Sequence, residues 1–386
     1  MLAVSPDLAP GPDAAAHSTL LAERIGQAID AAGGWIGFDR YMDLALYEPG
    51  LGYYNGGSTK FGGAGDFVTA PEISPLFGRT LARQVAQILG VTRGEVLELG
   101  AGTGRLAVDL LRELERLDAL PPRYLILDVS GELRARQRQT IGDKLPHLLD
   151  RVVWLDQLPA AIEGAVVANE VLDAVPVNLV SWRDDGIFER GVERIGRGFG
   201  WADRPLEPGP LDEVARALPI DPPFVTEIGV RGSALVASLA ERLRHGVLLI
   251  VDYGFGSSEF HHPQRSRGTL MCHYRHHAHD DPFFLPGLQD ITAHVDFTAV
   301  AEAGVMGGLA VLGYTTQSRF LINSGITELL SAENPEDAGR YLPQSSQALR
   351  LLSPAEMGEL FKVLALGRRV EEPLLGFPTG DLSRLL

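Results

Sequence analysis

The segment Glu98-Leu99-Gly100-Ala101-Gly102-Thr103-Gly104 closes an apolar run, EVLELG (95–100), and opens a stretch with helical texture. Glycine belongs in such a turn because the chain bends tightly and its backbone must approach a ligand closely. The spacing narrows the ligand class. A dinucleotide fingerprint, G-x-G-x-x-G, would need glycine at 105, where Arg105 stands, and the G-K-[ST] of a Walker loop does not follow. E-x-G-x-G-x-G suits a cofactor without a pyrophosphate. Asp128 ends the next apolar run, YLILDVS (124–130), and a carboxylate there can accept hydrogen bonds from ribose hydroxyls. Asp156, just past VVWL (152–155), stands where an adenine contact is expected.

A second constellation lies in AVVANEVLDAVPV (165–177), where an apolar run ends in Asn169-Glu170 and Asp173 follows. Polar groups at the tip of so apolar a strand are costly unless they serve a ligand or a cap. Asn169 is a candidate for binding cofactor or substrate, and Glu170 and Asp173 are candidate catalytic carboxylates holding a cationic nucleophile. A guanidinium is a poor nucleophile because its charge is delocalised and it holds its proton tightly. Two carboxylates can clamp it, localise the charge away from the attacking nitrogen and accept the proton. Structural roles stay open beside these: the glycines serving only packing, Asp128 capping a helix, Asp156 a solvated turn residue, and Glu170 or Asp173 capping a turn that Pro176 ends.

The elements that must position these groups alternate. Strands are expected at 95–100, 124–130, 152–155, 165–170, 179–182 and 247–254, with a late edge strand at 309–316. Helices are expected at 103–117 and 131–144, preceded by two more, from Ser18 as N-cap to Ala31 and from 75 to 89. Short apolar strands between helices imply an α/β fold with a mostly parallel sheet covered on both faces. Residues 1–16 read as a disordered lead-in. The Gly- and Tyr-rich stretch 38–74 reads as a folded loop surface. Residues 1–90 are set apart as an N-terminal extension and 91–386 as the core, with insertions at about 185–225 and 255–300.

The formal charge of −16 argues against a nucleic-acid binder that works by neutralising phosphates. It suits a cationic substrate through long-range steering, and ordinary solubility explains it equally. One cysteine, Cys272, excludes a disulfide framework and a Cys-rich zinc site. No apolar run is long enough to span a bilayer. The N-terminal stretch has the pattern of neither a secretory signal nor a mitochondrial presequence, so a cytoplasmic protein is expected.

The glycine loop resembles the nucleoside-binding loop of class I S-adenosylmethionine (SAM) methyltransferases. GDFVTAPEISPLFG (65–78), ELGAGTGRLAVDLL (98–111), ANEVLDAVPV (168–177), VDYG (251–254) and DITAHVDF (290–297) together resemble the MidA family of SAM-dependent methyltransferases, whose mitochondrial members act as complex I assembly factors and protein arginine methyltransferases. The resemblance runs from about Trp35 to about Leu321. It implies a Rossmann-like core with a seven-stranded, mostly parallel sheet and an antiparallel edge strand. It implies SAM as cofactor, with Glu98, Gly100, Ala101, Gly102 and Gly104 at the loop. Gly65, Asp66, Phe67 and Thr69 would line the pocket from outside the core, with Tyr53 and Tyr54 nearby. The family commonly has Glu where Asp128 stands, which keeps the charge and shortens the reach.

Seven of the ten histidines fall between 261 and 294, with His273 and His277 at i, i+4 spacing. A metal site and a polar lid over the cleft both fit that composition. Proline and glycine break any helix there, and methyl transfer needs no metal, so none is expected. The reading that results is a SAM-dependent methyltransferase acting on an arginine of a protein, with a link to respiratory-complex assembly. A methyltransferase of another nitrogen or of a small molecule is one alternative. A non-catalytic assembly chaperone that keeps a SAM pocket is another. An isologous homodimer is compatible with the sequence, which does not decide the oligomeric state.

Overall fold

The fold is that of a computed structural model, which describes residues 9–56, 69–332, 334 and 336–386. The chain divides into two units. One comprises residues 68–173, 233–260 and 295–386; the other comprises 1–67, 174–232 and 261–294. The N-terminal segment and most of the two stretches expected as insertions thus fall in one unit. The helix Pro75–Thr92, most of which lies in the stretch set apart as an extension, belongs to the unit that carries the glycine loop.

In that unit the apolar runs become strands β1 (Glu95–Leu99), β2 (Tyr124–Leu127), β3 (Val152–Leu155), β4 (Ile162–Asn169), β5 (Leu243–Phe255), β6 (Val295–Asp296), β7 (Ala310–Thr316) and β8 (Phe361–Arg368). The sheet order is β7-β8-β5-β4-β1-β2-β3, with the short β6 alongside the end of β5. Neighbours from β5 to β3 run parallel. The late strand β7 is at the edge, as expected. The strand running against the rest is β8, one place in from that edge, paired antiparallel to both β5 and β7. Sequence reading stopped short of β8, although every residue of FKVLALG is buried.

Helices α1 (Ala70–Ile73), α2 (Pro75–Thr92), α3 (Arg105–Arg116), α4 (Gly131–Lys144) and α5 (Phe297–Met306) complete what bears on the site. Ser74 caps α2 by accepting the Leu76 N–H, and Ser130 caps α4 by accepting the Leu133 N–H. Leu106, Leu110, Leu111 and Leu114 of α3 and Leu81, Val85 and Ile88 of α2 are buried in one core with Val96, Ile126 and Val167 of the sheet. The strand order reverses between β1 and β4. The turns that follow these two strands therefore flank the crevice where open α/β sheets bind ligands.

The other unit departs further from expectation. Its first helix spans Pro12–Ala31, with Pro12 at the first helical position, so Ser18 is buried in mid-helix rather than capping. FDRYMDLALY (38–47), expected as loop, is a helix that buries Phe38, Tyr41, Met42 and Leu44–Leu46. LVSW is a strand, Asn178–Arg183, in a separate antiparallel sheet with Ile36–Gly37, Gly186–Ile195, Gly198–Pro205 and Phe224–Ile228. Its alternative, a place in the parallel sheet, would have needed a crossover helix before it. A three-stranded sheet of Met271–Tyr274, His277–His279 and Asp290–Thr292 makes up much of the rest.

Candidate functional site

Gly100, Gly102 and Gly104 all take left-handed backbone conformations, with φ of +59°, +52° and +82°. They wind the chain from β1 into α3. Among the described residues, a Cβ added at Gly102 would meet nothing within 4 Å, so the loop presents bare backbone there. At Gly104 the same atom would lie 3.1 Å from Gln137 Cα. One glycine therefore faces outward and the other faces packing. Ala101, between the first two glycines, is buried.

Gln137 of α4 ties the donor side together. Its Nε2 donates to the Gly102 carbonyl at 3.1 Å and to Asp128 Oδ2 at 2.8 Å, and its Oε1 accepts from the Trp154 indole at 2.9 Å. Asp128 Oδ1 accepts the Ser130 N–H at 2.9 Å. Burial pushes the Asp128 carboxyl above its ordinary range, while Ser130, Gln137 and Arg134 pull the other way. Asp156 is highly exposed and ion-paired to Arg134 at 2.7 Å. Val129, between Asp128 and the cap of α4, is 75% exposed, an apolar face that the sequence reading passed over.

Glu98 is placed otherwise than expected. It is fully buried in β1, where its Oε2 accepts the Tyr124 hydroxyl at 2.6 Å. Burial, and secondarily Asp128, push its carboxyl up to about 7, and the Tyr124 hydrogen bond offsets part of that. Its chemistry is directed into the core under the loop rather than to a ligand.

After β4 the chain makes the second turn of the site. Glu170 has φ +53°, rare for a residue with a side chain. Its N–H donates to the Val251 carbonyl at 2.8 Å, and its Oε1 accepts from the Ala70 N–H at 3.1 Å and from Asn169 Nδ2 at 3.0 Å. The left-handed residue aims the next three N–H groups, of Val171, Leu172 and Asp173, at Asp252 Oδ2, at 3.2, 2.9 and 3.3 Å. Asp252 Oδ1 takes the Tyr253 N–H at 3.0 Å. Burial, then the nearby charges of Asp173 and Glu170, raise the Asp252 carboxyl well above its usual range. The Tyr253 hydroxyl donates to Asp173 Oδ2. Asn169 Oδ1 is buried and has no hydrogen-bond partner among the described residues.

Thr69 precedes α1, and Glu72 of α1 accepts the Thr103 hydroxyl at 2.5 Å. Gly65, Asp66 and Phe67 lie outside the described residues. Sequence reasoning missed Asp252, Tyr253, Gln137 and Glu72. The first two carry the signal that found Glu170, polar groups closing an apolar run. Gln137 and Glu72 gain their partners only in the fold. In the other unit, Tyr53 is fully buried and the Tyr54 hydroxyl donates to Asp290 at 3.0 Å. His273 and His277 lie on the two strands of a hairpin. Among the described residues no group of three or more His, Cys, Asp or Glu could hold a metal ion, and no helix is long and apolar enough to cross a membrane.

An outward-facing glycine, a buried carboxylate after the second strand and an unsatisfied Asn169 oxygen fit a nucleoside cofactor carrying hydroxyl and amino groups. With the sheet order, they define the class I SAM-methyltransferase core. The family described as "Putative S-adenosyl-L-methionine-dependent methyltransferase" matches residues 80–315, more than half of the chain, and the chain belongs to it. It is a SAM-dependent methyltransferase. It is 51% identical to a COG1565 superfamily member from Burkholderia thailandensis whose crystal structure holds S-adenosyl-homocysteine, over 98% of this chain and 99% of that one, with a TM-score of 0.95. It is 29% identical to the protein arginine methyltransferase NDUFAF7 homolog, mitochondrial, of Drosophila melanogaster, over 84% of this chain and 80% of that protein. For the Homo sapiens NDUFAF7 the figures are 28%, 84% and 78%.

Proposed function

We propose that the chain methylates an arginine side chain of a protein. The observation that carries the reading is the turn after β4. Glu170 is held in a left-handed conformation, with Asp173 three residues on, at the strand end beside the glycine loop. The relatives named as protein arginine methyltransferases support the same acceptor.

Bound SAM supplies an electrophilic methyl group. On this reading Gly100, Ala101, Gly102 and Gly104 hold the donor's backbone-facing side. Asp128 accepts ribose hydroxyls, and Val129 and Asp156 border the adenine. Asn169 accepts a hydrogen bond from donor or acceptor through Oδ1. Thr69, at the start of α1, borders the same crevice. Glu170 and Asp173 bind the guanidinium, hold one nitrogen toward the methyl group and localise the positive charge on the other two. Glu170 takes the proton that the attacking nitrogen loses.

The test is transfer of a labelled methyl group from SAM to an Arg–Gly repeat peptide, beside the same peptide with lysine for arginine. Label in the arginine peptide alone, abolished in Glu170→Gln while SAM binding persists, is the expected result. Label in the lysine peptide, or in neither, overturns arginine as the acceptor.

A further inference from the structure

The turn Ala70–Ile73 is tied to both halves of the site. Its first N–H reaches Glu170 Oε1 at 3.1 Å, and Glu72 Oε1 accepts from Thr103 Oγ1, inside the glycine loop, at 2.5 Å. SAM ends in an amino acid, and its ammonium needs an anion. Among the described residues, three other carboxylates near the loop have different commitments. Glu98 is turned into the core against Tyr124, Asp128 is held by Ser130 and Gln137, and Asp156 is paired with Arg134. Glu72 is half-buried, so its carboxylate is neither sealed in the core nor fully dispersed into solvent.

We propose that Glu72 binds the α-ammonium of the methionine end of SAM. One carboxylate oxygen is fixed by Thr103, and that bond orients the other. A carboxylate held by a neutral hydroxyl keeps its full charge for a cation and loses little freedom on binding. The same turn donates to Glu170 through the Ala70 N–H, so the element that seats the tail of the donor is hydrogen-bonded to the carboxylate on the acceptor side.

The test is calorimetric titration with SAM, S-adenosylhomocysteine and methylthioadenosine, which lacks the amino-acid tail. Glu72→Gln keeps the Thr103 hydrogen bond and removes the charge. It is expected to weaken the two tailed ligands roughly tenfold and methylthioadenosine less than about twofold. Thr103→Val removes the brace and keeps the charge, with an expected loss for SAM of about threefold or less. Equal weakening of all three ligands by Glu72→Gln, no weakening at all, or a Thr103→Val loss as large as that of Glu72→Gln overturns the proposal. Because binding alone is read, the outcome is independent of which acceptor is methylated.

Discussion

Tyr253 donates its phenolic hydrogen to Asp173 Oδ2 across 2.6 Å. The phenol is steadied by the edge of Phe361, with ring centroids 5.3 Å apart, so the bond restrains the carboxylate rather than following it. Tyr253→Phe keeps the ring and deletes the bond. Methyl transfer to the Arg–Gly peptide is expected to fall roughly tenfold in kcat, with SAM affinity within about twofold of wild type. An unchanged kcat would show that Asp173 needs no such restraint.

Gly102 and Gly104 separate binding from folding. A Cβ at Gly102 meets nothing among the described residues, so Gly102→Ala is expected to cost only the left-handed strain, about 1 kcal/mol, and to leave the protein folded. The methyl group then stands where the cofactor must approach, and SAM binding is expected to weaken more than about tenfold. Gly104→Ala adds the approach to Gln137 Cα and strain at φ +82°. Its expected cost is about 2 kcal/mol in urea unfolding, with part of the binding loss arising from a displaced Gln137. Equal stability losses in the two variants would count against this division.

The core was legible because its signals are local. EVLELG, YLIL and VVWL are apolar runs punctuated by glycine or by charge, and each became a strand of the parallel sheet. Glu170 stands out in the sequence for the same reason, as a carboxylate directly after a buried strand. The helix Phe38–Tyr47 was not, because the glycines downstream suggested loop over the whole stretch, although its own ten residues contain none. LVSW has the texture of a core strand yet pairs antiparallel elsewhere, since apolar content records burial and not partner. Glu98 was misplaced by its position beside the loop. Strand alternation puts it on the face of Val96, where Tyr124 takes it up.

Asp252 is the anchor that the sequence reading assigned no role. Three successive N–H groups converge on one of its oxygens, and they converge because Glu170 is left-handed. Asp252→Ala leaves those donors buried without an acceptor, and the expected cost is about 3 kcal/mol or more in urea unfolding. Asp252→Asn retains one oxygen facing the turn and should cost less. Both variants are expected to lower methyl transfer more than SAM binding, because the turn carries Glu170 and Asp173. A variant that loses SAM binding and activity in proportion would place Asp252 on the donor side instead.

Glu98 makes stability depend on pH with a defined sign. Its carboxyl titrates at about 7 in the folded chain against an ordinary value of 4.5. Between those values the folded state holds a proton that the unfolded state has released, so stability falls as pH rises through that window. The contribution is fully present below pH 4.5 and lost above about 7; burial of the ionised group is the physical cause, with Tyr124 offsetting part of it. Glu98→Gln cannot ionise and still offers an oxygen to the Tyr124 hydroxyl. Asp296, buried and pushed up to about 6, tilts the profile the same way in both proteins, so the diagnostic quantity is the difference between them. That difference, in urea unfolding free energy, should move in favour of the variant by about 2–3 kcal/mol between pH 5 and pH 8. A difference that stays flat across this range would mean that Glu98 ionises without penalty, and the burial argument for its placement beneath the loop would fail.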